Sequence, residues 1–167
     1  FRSILNNLEI NNKIKNKLST EITKYELSSV NSPETGIIRN YLETVLALPW
    51  NKLSKDENNL NKIEKELDKT HFGLNKVKER IIEYIASKKH NKELDSPIIC
   101  LVGPPGVGKT TLASSIANAL NKEFYKISVG GLNDSNELTG HRRTYLGANI
   151  GKIMQGIKRC NTKNPLI

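Results

Sequence analysis

Residues Gly103-Pro104-Pro105-Gly106-Val107-Gly108-Lys109-Thr110 place glycine-freed backbone amides, a long primary amine and a hydroxyl side by side. This is the G-x-x-x-x-G-K-[ST] pattern of a phosphate-binding loop. Gly103, Gly106 and Gly108 allow positive φ and let the chain turn its N–H groups toward an anion with no Cβ in the way. A helix starting just after the loop adds its positive end, so a β-phosphate is expected among the donors at about Val107 to Thr110. Lys109 is expected to reach the β and γ phosphates as a point charge, and the Thr110 hydroxyl to offer an oxygen to Mg²⁺. The implied ligand is a nucleoside triphosphate, with ATP and Mg²⁺ as the cofactors and the run from Gly103 through Thr111 as the binding segment.

Such a loop must sit between a strand and a helix. The apolar, β-branched run Ile98-Ile99-Cys100-Leu101-Val102 suits a buried parallel strand, and Thr111 to Leu120 carries Leu112, Ile116, Ala119 and Leu120 at helical spacing. Phe124 to Val129 alternates as a second strand that Gly130-Gly131 ends. Ile150 to Cys160 reads as a helix with Ile153, Met154 and Ile157, and Pro165-Leu166-Ile167 as the opening of a third strand.

The region before these elements is helical. Ile4 to Leu27 reads as one long helix whose seam of Ile10, Ile14, Leu18, Ile22 and Tyr25 requires a packing partner. Glu34 to Leu48 presents Ile37, Ile38, Tyr41, Leu42, Val45 and Leu46, and ends at Pro49. Trp50 is expected to cover the end of that helix. A polar connector, Asn51 to Asn59, leads to a short helix with Leu60, Ile63 and Leu67. His71-Phe72-Gly73-Leu74 interrupts the pattern before a helix bearing Leu74, Val77, Ile81, Ile82 and Ile85 on one face. A glycine between an aromatic and an apolar residue there suits either a bend against a flat ring or a simple helix start.

Composition narrows the class. The chain has 167 residues, a formal net charge of +9 and two cysteines, Cys100 and Cys160. Two cysteines make no disulfide framework; they read as small buried hydrophobes in a reducing, intracellular setting. No apolar run of about 18 residues is present, so no membrane partner is expected. The basic cluster Lys88-Lys89-His90-Asn91-Lys92 raises nucleic acid as a partner, but scattered lysines without interleaved aromatics favour a solvated surface.

Several segments together resemble the ATPase part of the Lon family of ATP-dependent proteases. They are Ile38-Arg39-Asn40-Tyr41-Leu42 with Leu48-Pro49-Trp50; His71-Phe72-Gly73-Leu74 with Val77-Lys78-Glu79-Arg80-Ile81; the phosphate loop; and Gly140-His141-Arg142-Arg143-Thr144-Tyr145-Leu146-Gly147. The resemblance spans at least residues 33 to 167. It implies an α/β fold, a truncated AAA+ P-loop NTPase core with a parallel sheet and helices on both faces, preceded by an all-α region. The implied strand order is five, one, four, three, two. The organisation implied is 1–50 as the helical end of a substrate-engaging region, 51–96 as a helical linker and start of the AAA+ module, and 97–167 as the first part of the ATPase domain.

By resemblance, His71, Phe72, Gly73 and Leu74 line the adenine pocket. Tyr145 and Leu146 form a pore loop that grips unfolded or damaged protein substrates inside a homo-oligomer, a hexameric ring. His141, Arg142 and Arg143 suit an anion site or an inter-subunit contact. Bacterial cytoplasm and mitochondrial matrix both house the family, and DNA enters as an additional partner. The acidic Walker B strand is expected from about Leu166 onward, and neither it nor the Ser-Lys peptidase falls within this sequence. This piece alone is therefore expected neither to hydrolyse ATP well nor to cut peptides. The competing readings are a small-molecule P-loop kinase, which needs an acceptor pocket and an arginine-bearing lid, and a nucleic-acid-binding module.

Overall fold

The structure, a computed structural model, describes residues 1–29, 32–91, 98–143 and 148–167, without the side chains of 88 and 89. The described chain divides into two compact units. One comprises Phe1–Leu53, Tyr125–Pro165 and Ile167; the other comprises Ser54–Phe124 and Leu166.

In the first unit, the expected long helix is two helices, α1 (Arg2–Asn7) and α2 (Asn12–Leu27). Leu8 is extended, and the Asn11 side chain accepts from the Lys13 N–H at 2.8 Å. An asparagine that satisfies a free amide starts a new helix, which overrides the continuous apolar seam. The partner the seam requires is α3 (Pro33–Leu46), which Ser32 caps through the Glu34 N–H and Pro33 opens. Leu5, Leu18, Ile22, Leu42 and Leu46 form the core between these helices. Trp50 covers the end of α3, and its indole N–H donates to the Val45 carbonyl at 2.9 Å. The same unit holds α7 (Asn136–Thr139) and α8 (Lys152–Cys160). Gly156 of α8 lies against the Tyr125 ring, in space that a Cβ would fill.

The second unit is built on α4 (Leu60–Thr70), α5 (Asn75–His90) and α6 (Lys109–Ala119). Ile63 and Leu67 of α4 are fully buried, and Ile81, Leu112, Ile116 and Ala119 complete the core, with Leu101, Leu120 and Leu166 against it. Each fully buried aliphatic side chain contributes roughly 1.5–3 kcal/mol. The face predicted for α4 is the buried one.

Strand pairing among the described residues is confined to isolated bridges, Phe124 with Leu166 in the parallel sense and Gly140 with Ile150 antiparallel. The run Ile98 to Val102, expected as a buried strand, forms no ladder here; Ile98 and Val102 are 97% and 92% exposed. A parallel strand has all its hydrogen-bond partners on neighbouring strands, and its faces are covered only when helices lie on both sides of a formed sheet. Cys100 is exposed with that run and Cys160 is half-buried, so the reading of both cysteines as buried is corrected.

Candidate functional site

The phosphate loop lies at the start of α6. Gly106 has φ +81° and Gly108, the residue before the helix, has φ +88°, both in the left-handed region that disfavours a Cβ. No side chain caps α6. Its first N–H groups are therefore open to an anion, with the helix dipole behind them. Helices α2, α3 and α4, by contrast, are capped by Asn11, Ser32 and Asn59.

Lys109 is the first residue of α6. Its ammonium donates to the main-chain carbonyls of Gly103 at 2.8 Å and Pro104 at 2.6 Å, which ties the two ends of the loop together. Thr110 follows it, exposed at the first turn of the helix. The Thr111 hydroxyl donates to the Gly108 carbonyl at 2.7 Å.

Beside the loop is a cavity of about 1040 Å³. Val77, Ile81, Tyr84 and Leu112 form its apolar wall, and Val107, Gly108 and Lys109 bring the phosphate loop to its edge. Burial raises the Tyr84 hydroxyl above its ordinary value. An apolar wall meeting a ring of N–H donors and one cation suits a molecule with a flat apolar end and an anionic end.

The segment 71–74 falls beside this cavity with its residues in different places. Leu74 is in the cavity wall. Gly73 and Leu74 have successive positive φ values of +72° and +57°, so α5 also starts from a left-handed turn with no side-chain cap. Leucine in that conformation is strained. Phe72 projects fully into solvent, and the His71 ring turns to the phosphate-loop helix, Nε2 lying 3.2 Å from Thr111 Oγ1. Lys78, with only 6% of its side chain exposed, donates to Asp68 and to the His71 carbonyl, both at 2.6 Å. Sequence reasoning did not single out Lys78. Its signal was there, since Leu74, Lys78 and Ile82 are spaced by four and a lysine in an apolar stripe demands a partner.

In the first unit, Arg143 donates to both carboxylate oxygens of the buried Glu21, at 2.8 and 3.4 Å, and its guanidinium lies 5.1 Å from the Tyr41 ring centre. Burial would raise the Glu21 carboxyl, but hydrogen bonds from Arg143 and Lys24 outweigh it and leave the group below its ordinary value. Arg143 thus has a partner within its own chain. Arg142 and His141 are exposed, with His141 Nε2 3.9 Å from Asp134 Oδ2. Tyr145 and Leu146 lie outside the described residues, as do Lys92 and the side chains of Lys88 and Lys89. Among the described residues no group of three or more His, Cys, Asp and Glu side chains could hold a metal ion, and no helix is long and apolar enough to cross a membrane.

Residues 99–167 match the model of the ATPase family associated with various cellular activities (AAA). That match carries a P-loop NTPase fold and nucleotide use with it. Across the chain, 166 residues, or 99%, are 48% identical to a Lon protease of Clostridioides difficile and 48% identical to one of Treponema pallidum. A Lon protease of Bacillus thuringiensis is 51% identical over 146 residues, 87% of this chain. The chain belongs to the Lon family, and its residues 99–167 fall in the AAA domain. It spans about a fifth of the length of these curated relatives, 21%, 19% and 18% respectively.

Proposed function

We propose that this chain is the ATP-binding segment of an ATP-dependent serine protease that unfolds and translocates protein substrates. The observation that carries the reading is the uncapped start of α6, where left-handed Gly108, Lys109 and Thr110 stand together beside an apolar cavity. Phosphate oxygens would compete for the Lys109 ammonium with the Gly103 and Pro104 carbonyls that now hold it. Being anionic, they would form the stronger bonds. The adenine would lie toward Leu74, Val77 and Tyr84, with His71, Phe72 and Gly73 forming the turn that brings Leu74 there.

Thr110 supplies one exposed oxygen, which suits Mg²⁺ held mainly by phosphate oxygens and water rather than by a protein cage. Bound there, the ion would neutralise charge on the β and γ phosphates. In the full-length protein we assign 1–50 to the end of the substrate-engaging region, 51–96 to the linker and 97–167 to the ATPase core. Tyr145 and Leu146 are assigned to a pore loop in a homo-oligomeric ring, a hexamer, acting on unfolded or damaged proteins. The bacterial relatives favour a bacterial cytoplasmic setting.

The test is degradation of an unfolded protein by the full-length enzyme with and without Mg-ATP, in wild type and Lys109→Ala. ATP-dependent degradation in wild type, with Mg-ATP affinity about 100-fold lower in the variant, is expected from loss of a charged hydrogen-bond donor. Unchanged affinity in Lys109→Ala would remove the role given to this site.

A further inference from the structure

His71 is held at both of its ends. Its carbonyl accepts from Lys78, whose ammonium is buried and also bound to Asp68. At the other end, its imidazole reaches across to α6, 40 residues on, and meets Thr111 Oγ1 at 3.2 Å. The ring also flanks the loop backbone. A Cβ on Gly108 would lie 3.8 Å from Nε2 and 3.9 Å from Cδ2.

The protons determine which way this bond runs. The Thr111 hydroxyl has a single hydrogen, and at 2.7 Å that hydrogen is given to the Gly108 carbonyl. Thr111 Oγ1 is then an acceptor toward His71, so Nε2 carries the N–H. In the neutral ring Nδ1 is left as the acceptor; Thr70 Oγ1 lies 3.0 Å from it, with its one hydrogen shared toward the Glu66 and Leu67 carbonyls at 3.3 and 3.2 Å. The resulting chain runs from the 71–74 turn through one imidazole and the Thr111 hydroxyl to the carbonyl of Gly108, the last glycine of the phosphate loop.

We propose that His71 is a positioning residue that joins the turn beside the cavity to the phosphate loop through Thr111, so that the two halves of the nucleotide site are set in one register. This rests on the nucleotide-binding reading above. It assigns His71 no contact with the ligand: its effect passes through Thr111 and Gly108. Loss of the Nε2–H donor frees the Thr111 hydroxyl to rotate away from Gly108 and lets the turn shift against the loop. A ligand that must touch both halves then binds less well.

The experiment is titration calorimetry of Mg-ATP on the full-length protein, comparing wild type, His71→Phe, His71→Gln, Thr111→Val, the Phe/Val double variant and Lys109→Ala. Phenylalanine keeps the ring against Gly108 but donates nothing; glutamine can donate its amide N–H at similar reach. His71→Phe and Thr111→Val should each weaken binding about five-fold, as expected for one lost hydrogen bond. His71→Gln should bind within about two-fold of wild type. The double variant should be no weaker than Thr111→Val alone, which already removes the bond to His71. Affinity unchanged in Thr111→Val, losses that multiply in the double variant, or glutamine as weak as phenylalanine would each overturn the proposal. A wild type that does not bind Mg-ATP would remove the nucleotide reading itself. Binding that depends on Lys109 but not on His71 or Thr111 would remove only this inference. Should His71→Phe fail to fold, Thr111→Val and His71→Gln still decide the matter.

Discussion

Helices α2, α3 and α4 begin as free-standing helices should, on Asn11, Ser32 and Asn59 side chains that satisfy an early amide. Helices α5 and α6 begin instead on left-handed residues, Leu74 and Gly108, with no capping side chain, and the start of each lines the same cavity. Capping a helix with its own side chain gives stability, whereas leaving its first amides open gives a binding surface that a ligand must complete. One side of this contrast is built to fold; the other keeps donors in reserve. Where the loop does find internal partners, they are its own carbonyls, as in the bonds of Lys109 to Gly103 and Pro104.

If the contrast is right, substitutions at the two kinds of helix start should separate stability from binding. Of the substitutions that test the backbone of the two kinds of start, the largest effect is expected at Gly108→Ala. The left-handed φ of +88° costs an alanine about 1–2 kcal/mol, and its Cβ would stand 3.1 Å from Thr111 Oγ1. Mg-ATP affinity should fall more than ten-fold, roughly the consequence of 1.4 kcal/mol or more lost at the site. A normal affinity would mean that the left-handed start of α6 is not needed for binding. Asn59→Ala should show the opposite pattern, with unfolding stability of the helical core lowered by about 1 kcal/mol in urea and Mg-ATP affinity unchanged. Weaker nucleotide binding in that variant at unaltered stability would erase the distinction.

The smallest effect is electrostatic. Glu21 sits below its ordinary carboxyl value of 4.5 because Arg143 and Lys24 outweigh the effect of burial. Its contribution is therefore present above the unfolded value and lost as pH falls through the folded one. The melting temperature of wild type should fall more steeply below about pH 4.5 than that of Glu21→Gln. The difference should correspond to less than about 1 kcal/mol, since Arg143 is half exposed to solvent. Parallel curves would mean that the Arg143–Glu21 pair adds nothing to stability.

The phosphate loop was legible without coordinates because its chemistry is local: glycine freedom, one amine and one hydroxyl must occur at set offsets along a single turn of chain. The faces of α3 and α4 were legible for the same reason, with apolar residues recurring at helical spacing and burying as that spacing requires. Where sequence reasoning went astray, the determinants were of another kind. The break at Leu8 to Asn11 came from one capping side chain overriding a continuous stripe. Ile98 and Val102 are exposed rather than buried because a strand is covered by neighbours that no local pattern supplies, while Leu101 between them packs on the core.

From spacing alone followed a phosphate-binding P-loop on a helix start and a helical region before it, and four motifs carried a family resemblance. The folded chain alone settled which long-range side chains meet. His71 reaches Thr111 across 40 residues, Arg143 reaches Glu21 across 122, and Lys78 is buried against the turn it holds. The physical reason is that hydrogen bonds and ion pairs act over about 3 Å, while sequence separation carries no information about which distant groups folding will bring within that range.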